Sequence, residues 1–321
     1  MRLPQMPPLH TPFSPGAPVR SLQDVERHEA RPLAEALPVQ STYEIFVNSA
    51  AAFGDKTALS FLPTADPADE PIRWSYAQLL TGIHQTANLL HHLGVGPQDA
   101  VAVLLPGCLE YHLALWGGEA AGIVQPLNPM LTDDKIVAMM TLARAKVLIA
   151  YGGEGDLGYW SKALRLRALV PTLTTVLRVA PHDEAPGATA PLPAGVVDLA
   201  ERHQHPGDHL VSGRRIAASD IAAYFHTGGT TGAPKLARHS HGAQVFTAWG
   251  SVQMQGIRPE DVGINGYPLF HVAGVLPGAL CSLAVGMHIL IPTARLFRNR
   301  EVIANYWRLV AHHGCTLMSG V

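Results

Sequence analysis

Cysteine is scarce and unpatterned. Cys108, Cys281 and Cys315 are the only three in 321 residues, too few and too scattered for a disulfide framework or a zinc knuckle. They read as buried thiols, and a reducing cytoplasmic location is expected. Charge is sparse as well. With 15% charged residues and a net charge of −2, the chain has no basic surplus for nucleic acid or an acidic membrane face. Lysine accounts for only five of the 23 basic residues, at Lys56, Lys135, Lys146, Lys162 and Lys235. The first 38 residues hold eight prolines and no continuous apolar stretch, so a secretion signal is not expected and an extended, partly ordered arm is. The longest apolar stretch, Val272 to Ile291, is broken by Gly274, Pro277, Gly278 and Gly286 and carries His288. It predicts a buried helix followed by a strand, not a transmembrane segment. No internal repeat is present.

What the chain does have is apolar content, 47% of its residues, enough for a sizeable core. Its pattern alternates. Ser75 is placed to cap a helix whose apolar face is Leu79, Leu80, Ile83, Ala87 and Leu90, ended by Gly94. Val101 to Leu105 reads as a buried strand, Leu109 to Ala121 as a helix and Ile123 to Gln125 as a strand. Thr132 is placed to cap the next helix, which leads to a strand at Val147 to Ala150. Such spacing predicts an α/β fold of layered parallel sheets flanked by helices. The expected organisation is a Pro-rich arm at 1–40, a first α/β lobe at 41–180, a loop-rich connection at 181–215 and a second lobe at 216–321. The Pro/Gly-rich run from Pro181 to Gly195 is expected to join the two lobes.

The most informative segment is His226-Thr-Gly-Gly-Thr-Thr-Gly-Ala-Pro-Lys235. It follows Ile221-Ala-Ala-Tyr-Phe225, which reads as a buried strand, and precedes a helical stretch from Ala243 to Met254. Gly228, Gly229 and Gly232 let backbone amides approach an anion closely. Thr227, Thr230 and Thr231 add hydroxyl donors, and Lys235 adds a point charge. A Walker loop is excluded, because the lysine follows Ala-Pro and precedes Leu236. A loop at a strand end is also where open α/β sheets bind ligands.

These residues resemble the phosphate-binding signature of the acyl-adenylate-forming (AMP-binding) superfamily, Tyr/Phe-Thr-Ser-Gly-Thr-Thr-Gly-x-Pro-Lys-Gly followed by Ser/Thr-His. Ser240-His241 stands in the last place. Gly228 replaces the family's serine and Leu236 its final glycine, so backbone amides and threonines would carry more of the anion binding. Gly266-Tyr-Pro-Leu-Phe-His-Val-Ala-Gly274 resembles a second family motif, and Gln125-Pro-Leu-Asn-Pro129 a third. The order and spacing also match, over most of the chain from about Ser41.

The resemblance implies an N-terminal part of an acyl-CoA synthetase fold and an ATP-dependent acid–thiol ligase. ATP, Mg2+ and CoA are the implied cofactors and partners, together with a small carboxylic acid. Thr227, Gly228, Gly229, Thr230, Thr231, Gly232 and Lys235 would hold the β- and γ-phosphates, with magnesium shared at Thr231. Lys235 and His271 are the implied catalytic residues, and Phe270, His271 and Gly274 would bind substrate, His271 lying between acyl and thiol compartments. No aspartate stands near Phe270-His271-Val272 to pair with an amino acid's ammonium. A fatty acid is therefore expected, its pocket lined by Phe246, Trp249, Val275 and Leu276, with an aryl acid or a carrier-protein acceptor as alternatives. The family's later Tyr-Gly-x-Thr-Glu, its ribose aspartate and its catalytic lysine are not found, so the chain is expected to be inactive alone. A short non-catalytic nucleotide- or acyl-binding protein is the reading from another class, and a homodimer is left open. His203, His205 and His209 are expected on a solvated loop and not at a metal. For His241, pairing within the structure and ligand contact stand level.

Overall fold

The computed structural model describes residues 12–37, 39–152, 157–184, 192–227 and 235–319. Gly228, Gly229, Thr230, Thr231 and Gly232 of the expected phosphate loop lie outside the described residues. In chain order the strands are β1 (Thr57–Leu62), β2 (Ile72–Ser75), β3 (Ala100–Leu104), β4 (Ile123–Pro126), β5 (Ala145–Tyr151) and β6 (Thr175–Val179). They continue with β7 (Val196–Asp198), β8 (Ile221–His226), β9 (Leu236–Ser240), β10 (Val262–Ile264), β11 (His288–Pro292) and β12 (Leu317–Met318).

Two sheets result, one ordered β7-β6-β5-β3-β4-β8-β9 and one ordered β12-β10-β11-β1-β2. Pairing is parallel except for β8 with β9 and β1 with β2. Alternation sorts the strand residues by face. Val101, Val103, Val147 and Ile149 enter the main core, while Ala102, Leu104, Leu148 and Ala150 enter a second cluster on the opposite face. A parallel sheet covered on both faces needs such unbroken apolar runs. The main core lies between the sheets, since Leu59, Phe61, Ile289 and Ile291 of the smaller sheet also join it.

The helix Leu109–Ala121 fills the middle of that layer and is buried on nearly every side, as expected for a helix apolar all round. It packs on the helices Thr42–Phe53 and Tyr76–His92. The latter begins where predicted. Ser75 Oγ accepts from the Gln78 amide at 3.2 Å, and Gln78 Oε1 accepts from the Ser75 amide at 2.8 Å, a complete capping box. Leu79, Ile83, Ala87 and Leu90 are buried, Leu80 only partly. Ser75→Ala is expected to cost about 1 kcal/mol, read as a lower urea midpoint; an unchanged midpoint would show that the box contributes nothing.

Several expectations need correction. The arm contains two short helices, Leu22–Glu29 and Leu33–Ala36, and Ser21 and Asp24 form a capping box for the first. Local capping thus overrides the prolines, and Phe13 is buried with its amide 3.2 Å from the Ala284 carbonyl. The sheets do not follow the sequential lobes 41–180 and 216–321. β1 and β2 join β10 to β12, whereas β8 pairs with β4, because parallel pairing joins strands distant in the chain. The run from Pro181 to Gly195 accordingly links neighbours in one sheet, β6 and β7. Thr132 occupies the N-cap of the helix Asp133–Ala143, yet its side chain makes no cap hydrogen bond. Cys108 and Cys281 are buried, while Cys315 is only partly so. The apolar stretch resolves into consecutive helical turns over 272–284 and then β11, and among the described residues no helix is long and apolar enough to cross a membrane.

Candidate functional site

The loop's two ends are brought together by an antiparallel hairpin. β8 and β9 pair with His226 opposite Leu236, and beyond them the Thr227 amide donates to the Lys235 carbonyl at 3.1 Å. Thr227 Oγ1 lies 3.5 Å from the same oxygen, a long contact that leaves the hydroxyl able to turn to a better acceptor. Lys235 is exposed and forms no ion pair among the described residues. β9 is a strand the sequence did not announce. Its half-buried residues show no alternation, and Leu236, standing where the family usually has glycine, packs on the second core cluster.

The second motif is a folded-back loop after β10. Asn265, buried there, donates from its backbone to the Leu290 carbonyl at 2.9 Å and from Nδ2 to the Gly274 carbonyl at 3.2 Å, while its Oδ1 accepts from the Tyr267 amide. A side chain at Gly274 would meet the Pro268 carbonyl oxygen at 2.5 Å. The glycine is therefore required by close packing of the loop on itself. His271 caps the short helix Val272–Val275, its Nδ1 accepting from the Ala273 amide at 3.1 Å. That bond assigns the proton of the neutral ring to Nε2 on an exposed imidazole. Phe270 is buried, with the Arg298 guanidinium 5.7 Å from its ring centroid.

Burial, with a smaller electrostatic contribution from His271, holds the His226 imidazole below its ordinary pKa. Two cavities flank the second motif. One, about 270 Å³, lies among the segments that follow β3, β4 and β5, and Pro268, Leu269 and Phe270 close it with Arg295 and Arg298 at its rim. β3 lies between β4 and β5, so this is the point where strand order reverses and where α/β sheets bind ligands. The other, about 310 Å³, is walled by Asn265, Tyr267, Ala273, Pro277, Gly278 and the β12 edge. In the chain, His271 stands between Phe270, which lines the first cavity, and Ala273, which lines the second.

Not every expected residue is placed there. Val275 and Leu276 turn into the core, Phe246 is largely exposed on the helix His241–Gln255 beside partly buried Trp249, and none of the four lines either cavity. His239 stacks edge-on against Phe225, at 5.0 Å between centroids. His241 is fully buried, with Nδ1 3.0 Å from Thr42 Oγ1, so the pairing within the structure is found. His203 lies on the 3-10 helix Leu199–Gln204, and His205 and His209 on the loop after it. Asn88 pins that loop, donating to the Pro206 and His209 carbonyls and accepting from the Val211 amide. Among the described residues no group of three His, Cys, Asp or Glu side chains could hold a metal ion. Asn265 and Arg298 are the site residues that sequence reasoning missed. Asn265-Gly266 after a strand is a recognisable turn signal, whereas nothing local marks Arg298.

Two sheets covered by helices, with a cleft at the reversal of strand order in the larger one, define an α/β fold of the kind that binds ligands at such a point. The sequence model described as AMP-binding enzyme matches residues 46–321. The chain belongs to this family. Marinolic acid–CoA ligase of Pseudoalteromonas sp. (strain SANK 73390) is 30% identical over 319 residues, which are 96% of this chain and 47% of the relative. The 4-hydroxybenzoate–CoA/benzoate–CoA ligase of Rhodopseudomonas palustris (strain ATCC BAA-98 / CGA009) is 26% identical over 77% of this chain and 42% of its own length. The chain thus spans about half the length of these curated relatives. Among solved structures, the anthranilate–CoA ligase AuaEII with anthranoyl-AMP shares the fold at TM-score 0.72 and 21% identity, over 89% of this chain and 50% of that one.

Proposed function

We propose that this chain carries the phosphate-binding and acyl-binding part of a ligase that activates a carboxylic acid with ATP and passes the acyl group to CoA. The observation that carries the reading is the hairpin, which sets Thr227 and Lys235 side by side at the end of β8. In such a reaction the acid's carboxylate attacks the α-phosphorus, pyrophosphate leaves, and a thiol then displaces AMP from the acyl carbon. Both steps move negative charge between oxygens, so fixed donors and a cation supply most of the stabilisation. Lys235, Thr227 and the loop residues Gly228, Gly229, Thr230, Thr231 and Gly232 would grip the β- and γ-phosphates. Magnesium would be shared between those phosphates and Thr231, supplying charge neutralisation.

His271 and Phe270 would separate acid from acceptor, and Gly274 would act by permitting the loop's tight return. The cavity at Ala273, Pro277 and Gly278 is mainly apolar, which supports a fatty acid as substrate. An aryl acid is the second reading, supported by the relative named for benzoate. The cleft under Arg298 and Arg295 supports CoA as acceptor, since its phosphates suit guanidinium groups. The Tyr-Gly-x-Thr-Glu motif is not in these residues, so turnover by this chain alone is expected to be absent while ligand binding remains.

The test is calorimetric titration of the 321-residue chain with ATP and with alkyl and aryl acyl-adenylate analogues, beside acid-dependent pyrophosphate release. Binding of ATP and of one analogue class is expected. Absence of both binding and release would overturn the proposal, and robust release would overturn only the expectation of inactivity.

A further inference from the structure

A buried polar knot sits at the base of the β8–β9 hairpin, opposite the phosphate loop. Its centre is Glu119, the one acidic residue on the buried surface of the helix Leu109–Ala121 and itself fully inaccessible. Glu119 Oε2 lies 2.7 Å from Thr42 Oγ1, and Oε1 accepts from Gln244 Nε2 at 2.9 Å. Thr42 Oγ1 is in turn 3.0 Å from His241 Nδ1. His241 and Gln244 form the first turn of the helix that leaves β9. Arg214 approaches from the segment before β8, but its Nη1 donates to the Glu119 and Ala120 carbonyls and its Nη2 to Asp220. Among the described residues the carboxyl therefore has two neutral partners and no ion pair. The His241 backbone completes the clamp by donating to the Asp220 carbonyl at 2.9 Å.

We propose that Glu119 is a positioning residue which, through Thr42, His241 and Gln244, fastens the base of the β8–β9 hairpin to the central helix and so sets where Thr227 and Lys235 at its tip stand. The tip is roughly 16 Å away along β9, at about 3.3 Å per residue, so a small rotation at the base is carried to Thr227 and Lys235. The proton belongs to the fastening. With a neutral carboxyl, the Glu119 hydroxyl donates to Thr42 Oγ1, the Thr42 hydroxyl donates to His241 Nδ1, and Gln244 donates to the remaining Glu119 oxygen. These three links are then made without a buried charge, while His241 Nε2 and Gln244 Oε1 stay without a partner among the described residues.

The groups facing Glu119 agree with that arrangement. Burial lifts its carboxyl to about 7 against the donors Thr42 and Gln244 and the Arg214 charge. Burial, with Arg214 next and Asp220 opposing, keeps the His241 imidazole neutral, at about 3. A carboxyl raised in the folded state stabilises below its unfolded value and loses that contribution as pH rises through the folded one. Titrating from pH 6 to pH 8 is therefore expected to weaken the clamp about tenfold.

The functional half of this inference rests on the nucleotide reading above, whereas the fastening does not, and the experiment separates them. Hydrogen exchange of the amides over 236–246, corrected for intrinsic pH dependence, is compared at pH 6 and pH 8 in the wild type, Glu119→Gln and Glu119→Ala. The wild type is expected to open about tenfold more readily at pH 8. Glu119→Gln, which reproduces the neutral acid, should match the wild type at pH 6 and show no such change. Glu119→Ala, leaving Thr42 and Gln244 unpaired, should open about tenfold more at both pH values. The same pH response in wild type and Glu119→Gln, or unchanged exchange in Glu119→Ala, overturns the proposal. ATP titration is read alongside. Loosened amides in Glu119→Ala with unaltered ATP affinity overturn the positioning of the loop, whereas no ATP binding by the wild type overturns the nucleotide reading and leaves the exchange to decide the fastening.

Discussion

Gly274→Ala is expected to destabilise the protein by about 2–3 kcal/mol, through overpacking that cannot be relieved locally. The added methyl would stand 2.5 Å from the Pro268 carbonyl oxygen and 3.1 Å from that of Tyr267, both backbone atoms. Neither can swing away. The Pro268 oxygen already accepts from the His271 amide at 3.1 Å, and the Gly274 carbonyl is held by Asn265 Nδ2. Relief would come by opening the turn that separates Pro268–Phe270, lining one cavity, from Ala273, Pro277 and Gly278, lining the other. A urea titration reads the stability loss as a lower midpoint. Gly250→Ala is the control, because a Cβ there meets nothing within 4 Å inside the helix His241–Gln255, and it should raise stability by about 0.5–1 kcal/mol. Equal midpoints for the two variants would refute the close-packing account of the motif's glycine.

Lys235→Ala should behave in the opposite manner, sparing the fold and impairing the ligand. Its side chain is exposed and makes no ion pair among the described residues, so the urea midpoint should stay within about 0.5 kcal/mol of wild type. A charge-assisted contact to phosphate contributes about 1.5–3 kcal/mol, which corresponds to ATP affinity about 10- to 100-fold weaker. Lys235→Arg should recover only part of that, because a planar fork does not reproduce a compact ammonium. Undiminished ATP affinity in Lys235→Ala would remove this lysine from the phosphate site.

The sequence was most legible where one physical signal dominated. The helix Leu109–Ala121 starts and ends at the predicted residues because Pro106-Gly107 and Gly122 bracket an unbroken apolar run. Ser75 was recognisable as a cap from its place just before the apolar face that begins at Leu79, whereas its partner Gln78 came from the structure. Lobe boundaries were not legible, since no local pattern says that β1 pairs with β11 and not with β3. β9 escaped because a short, half-buried edge strand lacks period-two alternation. In the site, the phosphate loop and the Phe270-His271 motif were readable as motifs, but the hairpin that draws Thr227 and Lys235 together came only from tertiary structure. Glu119 carried a faint signal as an acid within an apolar helix, yet its partners Thr42 and Gln244 lie far from it in the chain.

The pairing of β1 with β11 sets a timetable for synthesis. Leu59 needs Ile289 as its parallel neighbour, so the smaller sheet cannot close until nearly all the described chain has left the ribosome. At ~5–20 residues per second, β1 waits on the order of ten seconds or longer with its apolar face unpaired. The antiparallel strand β2 is available at once and covers the other edge of β1 from the start. A nascent chain thus keeps one edge of β1 open until β11 emerges, and its yield in a cell should respond to chaperone supply more than to the stability of the finished fold.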